Sequence, residues 1–99
     1  MNDMDCFIIH GNRDLIFRRE NNFYIVYDPY ELEFYKFNEF SAEIMYLISK
    51  EYSYSKIFDY FKNNYLCEED EFKATVLGFL IDCPIRKSIG VNLAQLGLL

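Results

Sequence analysis

The sequence predicts a small α+β domain, a three-stranded antiparallel sheet followed by three helices, and three observations carry that expectation. The apolar repeat changes from two residues to helical spacing at Asn38. Two β-prone runs joined by a turn signal precede that point, and apolar stripes bounded by caps and breakers fill the chain after it. The 99 residues suit a single core. Apolar side chains make up 52% of them and aromatic rings 19%, so the chain has enough to bury and is not a disordered tail.

The first strands are expected over Asp14 to Arg18 and Phe23 to Asp28. Arg19-Glu20-Asn21-Asn22 lies between them, and its asparagines tolerate the positive φ of a tight turn. Asp28-Pro29-Tyr30-Glu31 signals a second turn, with Asp first and Pro preset at the next position. It leads into a strand over Glu31 to Phe37, where Glu33, Tyr35 and Phe37 share one face and Leu32, Phe34 and Lys36 the other. Residues 1–13 form an arm or an extra strand, with Cys6 to Ile9 as its β-prone part, and residues 14–99 form the domain proper.

Beyond Asn38, Phe40, Ile44, Leu47 and Ile48 recur as one helical stripe, with Asn38 or Ser41 as the cap. Ser53 caps a second helix that holds Ile57, Tyr60 and Phe61 inward and ends at Asn63-Asn64. The third helix opens at Glu68-Glu69-Asp70-Glu71, carboxylates suited to a positive helix end, and presents Phe72, Val76, Phe79, Leu80 and Cys83 on one stripe before Pro84 stops it. A last short helix is expected within Arg86 to Leu99, with Ser88 as its cap and Gly97 as its stop.

Composition narrows the function classes. Ten basic against sixteen acidic residues give a net charge of −6, which repels phosphate backbones, and no basic block offsets it. The N-terminus carries acids where a secretory signal carries a basic segment, and Cys6-Phe7-Ile8-Ile9 is too short to insert in a bilayer, so a cytoplasmic chain with no membrane contact is expected. Cys6, Cys67 and Cys83 lack metal or redox spacing and read as reduced thiols. The sole histidine, His10, has no nucleophile to serve, and neither a phosphate loop nor an iron–sulfur cysteine triplet is present. No catalytic residue, metal or cofactor is assigned.

The order β-β-β-α-α-α resembles a winged-helix-like fold. From about Asp14 to Leu99 the chain resembles the PqqD-like family, the precursor-peptide recognition elements of ribosomal peptide-modifying systems. Phe37-Asn38 followed by Ser41-Ala42-Glu43-Ile44 is similar to the family's Leu-Asn-x-x-(Gly/Ser)-Ala-x-Ile junction. Ser53-Tyr54-Ser55-Lys56-Ile57 resembles its Thr-x-x-Glu-Ile helix start, and Asn64-Tyr65 its Glu-Tyr exit. Ala74-Thr75-Val76-Leu77-Gly78-Phe79-Leu80 is similar to its Ala-Asp-Val-x-x-Phe-Leu helix, and Gly97-Leu98-Leu99 to its closing Gly-Leu-(Leu/Ile/Val). Phe37 stands where the family has Leu and Thr75 where it has Asp, and the segment from Asp82 to Gln95 is longer than most members need.

The resemblance implies a non-catalytic module that binds the leader of a precursor peptide and delivers it to a modifying enzyme in cis or in trans, a radical SAM maturase among the candidates. The leader would add as a strand along Glu31, Leu32, Glu33, Phe34, Tyr35, Lys36 and Phe37 and rest against the third helix. The helical stripe places Phe72, Lys73, Val76 and Leu77 nearest the leader and Phe79 and Leu80 in the core. Two other classes stay open: a winged-helix DNA-binding regulator, disfavoured because Lys73 is the only cation of the third helix, and a structural subunit whose edge strand pairs with its own copy as a homodimer.

Overall fold

The computed structural model describes residues 3–98 and shows an α+β architecture, a four-stranded antiparallel sheet in the order β1-β2-β3-β4 followed by four helices. The strands are β1 (Cys6–His10), β2 (Asp14–Glu20), β3 (Phe23–Asp28) and β4 (Glu33–Asn38). The helices are α1 (Glu39–Ser49), α2 (Tyr54–Tyr65), α3 (Glu69–Ile81) and α4 (Gly90–Gln95).

The sheet has four strands where three were expected, because Cys6–His10 pairs with β2 from Cys6↔Arg18 to His10↔Asp14. Phe7 and Ile9 then point into the core, and alternation along all four strands leaves the helices on one face only. The β2–β3 hairpin closes at the pair Glu20↔Phe23, with Asn21 in the left-handed region at φ 53°. β4 begins at Glu33, two residues later than expected. The Asp28 carboxylate accepts hydrogen bonds from the amides of Tyr30 and Glu31 and so holds the turn open through Leu32, whose φ is 57°.

Asn38 is the α1 cap: its side chain accepts from the Ser41 amide at 2.8 Å. Ser53 caps α2 in the same way, by accepting from Lys56. Ile57 and Phe61 of α2 are buried as expected, whereas Tyr60 is 36% exposed and its hydroxyl donates to Glu43 on α1. Phe72, Val76, Leu80 and Cys83 are buried, and burial pushes the Cys83 thiol pKa up. All three cysteines are free thiols.

The last helix forms, but Ser88 does not cap it. Ser88 is buried, its hydroxyl accepts from Arg13 Nε at 3.0 Å, and Ile89 occupies the cap position instead. That contact belongs to a latch between the β1–β2 loop and the C-terminal segment. The Asn12 amide donates to the Ser88 carbonyl at 2.8 Å, the Val91 amide donates to Asn12 Oδ1 at 3.0 Å, and Asn92 Nδ2 donates to the His10 carbonyl at 3.2 Å. No helix among the described residues is long and apolar enough to cross a membrane.

Candidate functional site

β4 is an edge strand, bonded to β3 on one side alone. The hairpin fixes which of its groups are free. In a two-residue hairpin the closing pair Glu20↔Phe23 exchanges backbone hydrogen bonds, so Phe23, Ile25 and Tyr27 aim their N–H and C=O groups at β2. Tyr24, Val26 and Asp28 therefore bond to Phe37, Tyr35 and Glu33 of β4, and the N–H and C=O groups of Phe34 and Lys36 point away from the sheet. These four groups form the docking rail for an incoming strand.

Side chains divide by the same alternation. Phe37 is buried and Tyr35 packs against the core, whereas Phe34 is 66% exposed and lies 4.7 Å from the Tyr27 ring, centroid to centroid. Lys36 places its ammonium 4.4 Å from the centre of the Phe23 ring. Glu33 is exposed at the start of the strand. Glu31 and Leu32, expected on this strand, lie in the preceding turn: the Glu31 carboxylate accepts from Arg13 at 2.9 Å, and Leu32 is 72% exposed.

α3 meets β4 through Phe79, whose ring stands edge-on to that of Phe37 at 5.9 Å. Phe37 in turn makes an edge-to-face contact with Phe17, so a chain of three rings joins the sheet interior to the helix. Phe72 and Val76, expected nearest the leader, are 4% and 2% exposed, and Phe72 also lines the pocket described below. With about 100° per residue around the axis, Lys73 and Leu77 stand roughly 120° and 160° from Phe79, beyond the buried stripe and away from β4. On the other side of Phe79, at roughly 40° to 100°, come Thr75, Asp82, Glu71 and Gly78.

On this side Thr75 stands nearest Phe79, whereas Gly78, roughly 160° from Val76 at the centre of the buried stripe, lies on the outer face of the helix. Gly78 is exposed there. A Cβ built on it would meet no atom within 4 Å, so close packing inside the chain does not require a glycine there. Glycine nevertheless weakens a helix interior by about 1 kcal/mol relative to alanine.

A pocket of about 240 Å³ opens among α1, α2 and α3, lined by Phe40, Phe61, Tyr65, Cys67, Glu71, Phe72 and Thr75. Its rings form one cluster: Phe40 stands edge-on to Phe61 and Tyr65, and Phe61 stacks on Tyr65. Glu43 receives hydrogen bonds from both the Tyr60 and the Tyr65 hydroxyls. The bond to Glu43 raises both phenol pKa values, that of Tyr60 to about 12. Cys67 and Glu71 place a thiol and a carboxylate on the pocket wall. His10 lies at the far edge of the sheet, on β1, exposed and 3.0 Å from Asp14. Against known proteins, the chain matches no family model, no curated protein and no solved structure.

Proposed function

We propose that this chain is a peptide-recognition module with a winged-helix-like fold. It binds the extended leader of a ribosomally made precursor peptide by strand addition to the outer edge of β4. It performs no chemistry on the peptide and presents it to a modifying enzyme, which is either a separate protein or a continuation of the same chain. The observation that supports this reading is the open outer edge of β4, whose Phe37 meets Phe79 of α3 ring to ring. Backbone groups on the edge supply affinity, and the side-chain cleft beneath supplies selectivity.

In this reading the peptide backbone bonds to Phe34 and Lys36, and its inward side chains rest on Phe79 and reach the ring-lined pocket. The DNA-binding reading has little support, since α3 opens with Glu69, Asp70 and Glu71 and carries Lys73 alone to meet a phosphate.

The test is a fluorescence-anisotropy titration with leader peptides encoded beside the gene. Phe34→Ala removes the ring and keeps the N–H, whereas Phe34→Pro removes both; its β3-facing ladder stays intact because that N–H points outward. Phe34→Pro should bind at least about ten-fold more weakly than Phe34→Ala, a difference of about 1.4 kcal/mol. Lys73→Glu, on the far margin, should bind as the parent does. Equal leader affinity in Phe34→Ala and a Phe34→Pro variant with unchanged circular dichroism would refute strand addition here.

A further inference from the structure

The helices cover one face of the sheet, and the opposite face holds an apolar row that the peptide cleft does not use. Register places Ile8, Ile16, Tyr27 and Phe34 side by side across all four strands, and alternation turns all four outward. Ile8 is 43% and Phe34 66% exposed, and Ile25 widens the row. A row of this kind on an uncovered sheet marks an interaction surface.

Charge identifies the occupant. The chain carries −6, yet this face balances Arg18 and Lys36 against Asp14 and Glu20. It is a surface on which two copies can meet without like-charge repulsion. Its charges are also ordered: Asp14 lies two residues before Ile16 on β2, and Arg18 lies two residues after it.

We propose that a second copy of this chain packs on the outer face, sheet against sheet, about a two-fold axis that runs along the Ile8–Ile16–Tyr27–Phe34 row. The axis reverses strand direction and keeps each strand opposite its own counterpart. It sets Ile16 against Ile16 of the partner subunit and Asp14 against Arg18 of the partner subunit. Such an interface is isologous and closes at two copies. The strands align as in a sandwich, with a core about 10 Å thick. With strands roughly 4.8 Å apart and about 3.4 Å per residue, the face projects to roughly 400 Å², smaller than a standard half-interface of about 800 Å². The dimer is accordingly weak. The β4 edge stays open in this arrangement, so the dimer does not depend on the peptide-binding reading.

Sedimentation velocity on the full chain, up to about 1 mM, tests it. A reversible dimer should form in that range. Ile16→Lys, and Ile8→Glu should the first variant misfold, should raise the dissociation constant at least about ten-fold with unchanged circular dichroism. Arg18→Asp should weaken the dimer, and Asp14→Arg added to it should restore it. A monomer at every concentration overturns the proposal. So does a dimer that both folded variants leave intact, since that dimer would pair through an edge strand.

Discussion

Two glycines should respond to alanine in opposite directions. Gly11 lies in the β1–β2 loop against the C-terminal segment, where an added Cβ would stand 2.5 Å from the Ser88 carbonyl oxygen, 2.6 Å from Asn92 Oδ1 and 3.3 Å from Ile89 Cα. Two of these three atoms are backbone, so no rotamer change relieves the clash. The loop must part from the segment and give up the bonds through Asn12 to Ser88 and Val91 and from Asn92 to His10. At about 1 kcal/mol for each of these three, less about 0.5 to 1 kcal/mol gained by restricting the unfolded chain, Gly11→Ala should lose about 2 kcal/mol. Gly78→Ala meets nothing and relieves a helix interior, so it should gain about 0.5 to 1 kcal/mol. With 4 to 8 °C per kcal/mol for a domain of this size, melting should fall by roughly 8 to 16 °C in the first variant and rise by roughly 2 to 8 °C in the second. Urea titration monitored by circular dichroism reads both. A Gly11→Ala variant as stable as the parent would refute the latch, and a destabilised Gly78→Ala would mean that the position is not open.

Two further outcomes are expected. Glu43→Gln should bring the Tyr60 phenol down from about 12 toward its ordinary value of 10.0, seen as earlier phenolate absorbance in an alkaline titration and absent from a Tyr60→Phe background. Because the folded pKa is the higher one, the stabilisation it reflects is whole below about pH 10 and is lost as the pH climbs toward 12. Arg13→Ala should lower the midpoint of urea unfolding. It leaves Asp28, 2% exposed, without the guanidinium 3.5 Å away, and it frees Ser88. Glu31→Gln, at the exposed end of the same cluster, should cost less than about 1 kcal/mol.

What the sequence made legible is what short-range physics decides. Asn21 takes the positive φ of the hairpin, and Asn38 and Ser53 cap the helices they precede. Each of these depends on groups within four residues of one another. The alternation that exposes Phe34 and buries Phe37 is equally local. What the sequence hid depends on partners far along the chain. Cys6 to Ile9 reads as arm or strand until Asn12 and Arg13 find Ser88 and Val91, between 75 and 79 residues away. Ser88 has the chemistry of a helix cap, and the guanidinium that takes its hydroxyl comes from the other end of the molecule.

The α3 faces show the same division at the level of the candidate site. A stripe of Phe72, Val76 and Leu80 fixes which side of a helix is buried but is symmetric about its own centre, so it assigns neither margin to the sheet. Lys73 and Leu77 on one margin and Phe79 and Thr75 on the other are equivalent until a contact with the sheet is known. The Phe37–Phe79 contact breaks that symmetry.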